Sequence, residues 1–456
     1  KIGITLALIP TNHPGVETGK RHCPLNLAFM NGPTKGRDVF IPLDWIIGGV
    51  EGRGQGWKMM MECLSIGRSI SLPALATAAA KISFRMTGAY ARIRHQFQRP
   101  IGEFEGIQEA LARIGGFTYL CEATRLLTSQ AIASGIRPAV ASAISKYHLT
   151  ELSRHIIADA MDVHAGRAVQ LGPRNYLSGF YQGIPISATV EGANILTRNL
   201  IIFGQGVVRC HPFLQKELAA KDLKQFDQQI MRHVGFSLSQ FVRTLVYSLT
   251  GARWMRSPKS GPIAFYYRQL TRLSSAFAFT CDVSLGVLGA RLKMKESLSS
   301  RLGDVLSYLY LASAALKYYE DNGSRGEEYP FLQWSLDYCL HQIETAFYGL
   351  FQNFPVKWIA KVIRFLLFPW GRFYSYPSDK LSSEVAKSLQ TCSSLRDRLT
   401  RYCYIGKEDI DPTGRMENAM IAITKASATV EKITTAKKHG FVMKDNWSAV
   451  IEEAFS

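Results

Sequence analysis

Three short segments of this chain carry the residue types best suited to chemistry. In residues 190–199, VEGANILTRN, a carboxylate, Glu191, precedes a glycine at what reads as the first turn of a helix. A carboxylate there has an ordinary task, capping free N–H groups and complementing the helix dipole. The approach to it, Ile184, Pro185, Ile186 and Val190, is apolar. A glutamate in a dry pocket has a raised pKa and can serve as a general base near neutral pH, so the residues alone leave both roles open.

The second segment, residues 91–108 (ARIRHQFQRPIGEFEGIQ), ends one helix at Arg94 and opens the next after a Pro-Gly loop. This sets a guanidinium beside Gln96 and Phe97, an arrangement that is commonly just a surface ion-pair site. In the third, residues 161–172 (MDVHAGRAVQLG), the small pair Ala165-Gly166 follows His164, which would let a backbone approach a ligand closely. His164 itself reads as a satisfied core histidine.

The elements that must position these residues fall into three parts. Residues 1 to about 52 hold short β-type runs at 2–9, 39–41 and 45–47, separated by the Pro14-Gly15 and Gly32-Pro33 turns. They read as a β segment without its beginning. From about 54 to 205 the pattern becomes long helices with loops at 97–106, 135–138 and 172–185. Ile107, Leu111 and Ile114 keep the i, i+4, i+7 spacing of a buried face, as do Val140, Ile144 and Tyr147. Four long helices with short connections predict an antiparallel bundle, and Pro73 predicts a kink in the first of them. From about 206 the chain stays helical but turns basic and aromatic, with helices predicted at 226–249, 262–320 with a break, 327–350, 356–368 and 411–436.

Length and composition bound these readings. A chain of 456 residues that is 47% apolar can fill about three domain cores, which excludes a disordered chain. The balance of 54 Lys+Arg against 36 Asp+Glu, formally +18, attracts phosphates, nucleic acid or an anionic membrane surface. The basic residues interleave with apolar helix faces and form no basic arm, which argues against a nucleic-acid module. Eight dispersed cysteines with no CxxC pair and no zinc-spaced histidine predict no metal site and reduced core thiols of a cytosolic protein. The opening KIGITLALIP reads as a strand, not a signal peptide. With no initial Met and a start inside a sheet, the expectation is part of a longer protein.

In residues 354–374 (FPVKWIAKVIRFLLFPWGRFY), Lys357, Lys361 and Arg364 recur at i, i+4, i+7 beside a broad apolar-aromatic face. Helices that lie on anionic bilayers have this pattern, and so do core or dimer-interface helices. Every apolar run falls short of the 18 or so residues of a membrane span.

Taken in order, these segments resemble the acyl-CoA dehydrogenase family over residues 1 to about 210. The resemblance rests on Val39-Phe40-Ile41-Pro42, Arg68 in LSIGRSISLPA, Arg94-His95-Gln96-Phe97, the 162–166 turn and Glu191-Gly192. Residues 203–213 and 273–320 resemble the helical C-terminal extension of the large bacterial long-chain members. The implied fold is mainly α: residues 1–53 as the end of a β domain, 54–210 as the family's C-terminal four-helix bundle, and 211–456 as the additional helical domain.

The resemblance implies that Glu191 removes the α-proton of a fatty acyl thioester while the β-hydrogen leaves as hydride to FAD, giving a trans-2-enoyl-CoA. The family polarises the thioester carbonyl with the backbone N–H of that glutamate. Arg94, Gln96, Phe97 and Gly166 would contact FAD, the first three reaching the flavin of a neighbouring subunit, and Arg68 and Gly192 would face the acyl-CoA. Gln98 stands where a Gly is usual after the Phe. The implied setting is β-oxidation of medium- or long-chain acyl-CoA in the bacterial cytoplasm; attachment to the inner-membrane surface is an expectation from the 354–374 pattern alone. The implied partners are an electron-transfer flavoprotein and a second copy of the chain. Two alternatives stay open: an oxidase on the same scaffold, and an inactive helical scaffold for a membrane or partner. The chain alone is expected to bind FAD poorly and to be inactive.

Overall fold

A computed structural model describes residues 3–27 and 31–438. Lys1, Ile2 and residues 439–456, the outer ends of the first and last predicted segments, lie outside the described residues. In the first segment the expected pairing of the 2–9 and 45–47 runs is present as an antiparallel bridge, with Leu8 donating to Trp45 O at 3.0 Å and Ile47 donating to Leu6 O at 2.9 Å. The regular strands lie elsewhere, at β1 (Val16–Thr18) and β2 (Thr34–Gly36), and residues 39–41 form none.

The helices then begin: α1 (Gly56–Ser69), α2 (Ser71–Ile93), α3 (Glu105–Ala133) and α4 (Ala139–His164). The expected kink at Pro73 is present as a break at Ile70, just after Ser69, the residue whose carbonyl a proline at 73 leaves without its helical N–H. Pro73 occupies the first turn of a new helix, where its missing N–H costs nothing. A small hairpin, β3 (His95–Gln96) with β4 (Arg99–Pro100), joins α2 to α3. Shorter helices follow at α5 (Gly166–Val169), α6 (Ser178–Thr189) and α7 (Asn194–Leu196). A π-helical turn at Thr197–Gln205 then leads to α8 (Gly206–Cys210) and α9 (Leu214–Leu218).

The remaining long helices are α10 (Leu223–Leu249), α11 (Ile263–Leu288), α12 (Glu296–Asp321), α13 (Tyr329–Asn353) and α14 (Lys357–Leu367). The predicted break in 262–320 is the 3-10 turn Gly289–Lys293. Helices α15 (Asp379–Leu389), α16 (Ser394–Leu399) and α17 (Pro412–Lys438) complete the order. The two short ones, α15 and α16, were not predicted, although Ser378 and Ser393 cap them by accepting from Leu381 N and Arg396 N.

Bundle and extension share one core. Helix α3 packs against α2 and α4 on one side and against α12, α13 and α15 on the other. Its residues are buried nearly all round, from Leu111 and Ile114 to Tyr119 and Leu120. Gly116 makes the second contact feasible, because a Cβ there would overlap the Trp334 ring of α13. Ion pairs add a further tie: Glu417 of α17 accepts paired hydrogen bonds from Arg85 of α2 and from Arg396 of α16, at 2.7–3.0 Å.

Two expectations need correction, and a third stays divided. Only Cys121, Cys281 and Cys339 are buried, while Cys23, Cys63 and Cys210 are exposed, so the core-thiol reading holds for part of the set. Two helical stretches, Gly56–Ile93 and Ile263–Lys293, do reach the length and composition of a membrane span. Both contribute to the core through Ala76, Ala80 and Phe84 and through Ile263, Leu270 and Leu273. Helix α14 divides its apolar residues, with Ile359, Ala360, Ile363 and Leu367 against the core and Trp358, Val362 and Phe365 exposed.

Candidate active site

Glu191 is not on the first turn of a helix. Helix α6 ends at Thr189, α7 begins at Asn194, and the intervening turn places Glu191 at φ +54° and Gly192 at φ +95°. A left-handed glutamate costs on the order of 1 kcal/mol, and such outliers cluster where the fold over-determines a residue for function. The fold fixes this turn through its carbonyls. Arg68, in the last turn of α1, donates through Nε to Glu191 O at 2.6 Å. Lys146 of α4, fully buried, donates to Gly192 O at 2.8 Å, Ala188 O at 3.2 Å and Asn194 Oδ1 at 2.6 Å. Thr197 Oγ1 adds a bond to Gly192 O at 3.1 Å.

The Glu191 carboxylate lies across Gly67 of α1, where a Cβ would overlap both carboxylate oxygens. Oε2 is buried and makes no hydrogen bond to the described residues. Burial pushes this carboxyl above the usual range, against the downward pull of Arg68 and Lys146. Both cations spend their hydrogen bonds on backbone or amide oxygens, so the carboxylate receives their field and no direct bond. That is the setting of a general base.

Lys146 was missed in the sequence. Burial, with help from the nearby Arg68 charge, lowers its pKa to about 8. The available signal was its surroundings: Ser142 and Ala143 before it and Thr150 after it, at helical spacing, leave small and hydroxyl-bearing neighbours on one face. Asn194 extends the network, donating to Thr150 Oγ1 at 2.9 Å and to Glu151 Oε1 at 2.6 Å.

The other candidate residues gather at the opposite end of α2, a helix of 23 residues and therefore about 35 Å long. Arg94 caps its C-terminus, exposed and with no side-chain partner among the described residues. The β3–β4 turn holds Phe97 at φ +50° and Gln98 at φ +63°, two consecutive left-handed residues as a type I′ hairpin requires. This explains why a glycine suits position 98. Phe97 is 87% exposed at the tip, with Gln96 exposed beside it.

Gly166 starts α5 at the same end. The ring of His164 stacks on Tyr90 of α2 at 4.3 Å, and its two nitrogens bond Ala160 O and the Tyr176 hydroxyl, each at 2.7 Å. Burial brings its pKa down to about 4, so it is the satisfied core histidine expected. The structure thus joins Glu191, Gly192 and Arg68 at one end of α2, and sets Arg94, Gln96, Phe97 and Gly166 at the other.

A third polar cluster lies in the extension. His211, His233 and Asp282 bring ligand-type atoms within 4.8 Å of one another. The Nδ1 of His211 accepts from the backbone N–H groups of Phe213 and Leu214, so its Nε2 carries the proton and donates to Asp282 at 2.9 Å. His233 faces carboxylates with both nitrogens, Glu217 at 2.7 Å and Asp282 at 3.3 Å. These bonds leave no nitrogen lone pair aimed at a shared centre. The cluster reads as a hydrogen-bonded strut between α9, α10 and α11.

Residues 208–456 match the family model for the bacterial-type C-terminal part of acyl-CoA dehydrogenases, and residues 54–204 match the model for the acyl-CoA dehydrogenase C-terminal domain. The chain belongs to the acyl-CoA dehydrogenase family. Among curated relatives, it is 25% identical over 328 residues to the probable acyl-CoA dehydrogenase FadE10 of Mycobacterium tuberculosis, which covers 69% of this chain and 49% of the relative. A stretch of 87 residues, 19% of this chain, is 60% identical to Protein HemX of Proteus mirabilis and covers 51% of it. The chain spans about half the length of the curated relatives it matches. Among solved structures, an acyl-CoA dehydrogenase of Bacillus anthracis crystallised with FAD superposes over 85% of this chain and 65% of its own, with a TM-score of 0.67 at 16% identity. Acyl-CoA oxidase 1 of Arabidopsis thaliana superposes over 89% of this chain and 61% of its own, with a TM-score of 0.54 at 14% identity.

Proposed function

We propose that the protein carrying this chain is an FAD-dependent acyl-CoA dehydrogenase that introduces the α,β double bond into a medium- or long-chain fatty acyl-CoA, and that Glu191 is its base. The observation that carries this reading is the Glu191 turn: a partly desolvated carboxylate with no direct partner among the described residues, held in a left-handed conformation by cations bonded to the backbone of the turn. The chain's own share of the reaction is proton removal and positioning. Glu191 takes the α-proton, Gly67 gives its carboxylate room, and Arg68 and Lys146 fix the turn. The backbone N–H of Glu191, by the family pattern, donates to the thioester carbonyl and so makes the α-proton acidic enough to leave.

The flavin end fits the same reading. Arg94 has a free guanidinium suited to a diphosphate, and Phe97 presents an exposed ring at a rigid hairpin tip. With Gln96 and Gly166 they would hold FAD, which supplies the oxidant that accepts the β-hydrogen as hydride. The separation of this group from Glu191 along α2 supports a flavin held between two copies of the chain, hence a dimer or higher assembly. Electrons would pass onward to an electron-transfer flavoprotein.

The test uses the full-length protein with a saturated long-chain acyl-CoA, comparing anaerobic turnover on an artificial electron acceptor with aerobic turnover. Dehydrogenase activity is expected under both conditions, with little peroxide. Glu191→Gln should lower kcat by about 10² to 10⁴ while leaving bound flavin and melting temperature unchanged. Full turnover in that variant would remove Glu191 from the role, and peroxide formed with every turnover would make the enzyme an oxidase.

A further inference from the structure

The helix α10 is inverted. Its buried residues are all polar, Gln240, Thr244 and Ser248, and the hydroxyls of the last two have no partner among the described residues. Its outward face carries Met231, Val234, Leu238, Val242, Val246 and Leu249, all exposed, with Leu238 at 62% and Met231 at 71%. From Met231 to Leu249 the helix presents an apolar stripe about 27 Å long. Ordinary surface helices do the opposite, and a monomer rarely leaves so large an apolar patch in water.

The neighbouring element repeats the pattern. Helix α14 packs beside α10, and just beyond it the Trp370 indole donates to Leu249 O at 3.3 Å. Trp358, Val362 and Phe365 of α14 are exposed, as are Trp370 and Trp254 nearby. Charge is one-sided over the same two stretches. Residues 228–262 contain no Asp or Glu but do contain Arg232, Arg243, Arg253, Arg256 and Lys259. Residues 345–378 likewise contain no acid but do contain Lys357, Lys361, Arg364 and Arg372. All nine of these cations are exposed, and among the described residues only Lys259 has an ion-pair partner, Glu320 at 3.7 Å.

We propose that the joined faces of α10 and α14 form a docking surface for an anionic lipid bilayer, with the aromatic and aliphatic side chains entering the interface and the rim of cations meeting lipid phosphates. Charge decides the occupant. Two copies meeting through this face would set like-charged rims against each other, whereas an anionic leaflet attracts each Lys or Arg and accepts the apolar stripe. The surface is independent of Glu191, which lies on the bundle side of the molecule.

Flotation of the full-length protein with vesicles tests this. Binding is expected to vesicles of phosphatidylcholine and phosphatidylglycerol in equal parts, not to phosphatidylcholine alone, and it should fall away at high salt. Lys361→Gln with Arg364→Gln should weaken the partition about thirty-fold, and Leu238→Glu about tenfold or more, each with an unchanged melting temperature. Quenching of tryptophan fluorescence in the wild-type protein by brominated lipid gives a readout that needs no variant. Absence of binding to the anionic vesicles overturns the proposal, as does binding that both variants leave intact. If binding is absent and Leu238→Glu converts a dimer to a monomer in sedimentation velocity, the face is an interface between copies instead.

Discussion

Two glutamates in this molecule sit in partly dry surroundings beside two cations each, and they respond in opposite directions. Burial alone would raise both. Glu417 nevertheless falls to about 2, because Arg85 and Arg396 aim four hydrogen bonds at its two oxygens. Glu191 stays raised, because Arg68 donates to its backbone carbonyl and Lys146 donates to the oxygens of Ala188, Gly192 and Asn194. The difference lies in where the donors point, more than in how many charges are near. A carboxylate that receives bonds becomes a fixture; one that receives only their field stays available for a proton.

The largest break in this comparison should come from Glu417→Gln. Removing the anion leaves the buried Arg396 without a carboxylate partner among the described residues and Arg85 with Asp397 alone, so unfolding free energy should drop by about 3 to 5 kcal/mol in denaturant titration. The pH dependence follows. A carboxyl with a folded pKa of about 2 against an ordinary 4.5 contributes stability that is complete above about 4.5 and lost as pH falls toward 2. About 3 kcal/mol of acid-sensitive stability should therefore be present in the wild type and absent in Glu417→Gln.

On the Glu191 side, Gly67→Ala should displace the carboxylate from α1. A misplacement of about 1 Å is worth roughly 10² in kcat, with flavin content unchanged. Lys146→Met removes one of the two cations that pull the Glu191 pKa down. The acid limb of the pH–rate profile should then move to higher pH, by no more than about one unit; an unmoved limb would mean that Lys146 acts only through the backbone. Smallest of all, Gln98→Gly relieves a left-handed residue in the β3–β4 turn and should stabilise by less than about 1 kcal/mol.

Much of the bundle was legible because α3 and α4 carry regular apolar spacing, and the order of Arg68, Arg94 and Glu191 along the chain pointed to a family before any geometry was known. The apolar approach to Glu191 also pointed to its desolvation. What the residues did not disclose was direction. Whether a cation donates to a carboxylate or to a carbonyl depends on backbone placed by distant helices, so the direction of the Lys146 bonds and the left-handed turn could not be read beside a plain EG pair. Pro73 was legible as a kink, because a proline disturbs the helix at the carbonyl four residues before it, and the interruption falls there, between Ser69 and Ser71. In α10 the spacing was helical, but periodicity alone cannot say which face looks outward.

The shared burial of α3 has a consequence for how the protein is made. Its last residue, Ala133, leaves the ribosome well before α15, which ends at Leu389 and covers part of its surface. At about 5 to 20 residues per second, the nascent chain spends on the order of tens of seconds with the Gly116 side of α3 uncovered. The bundle that holds Glu191 is thus synthesised early but finished late, and its yield in the cell should depend on how well that interval is protected.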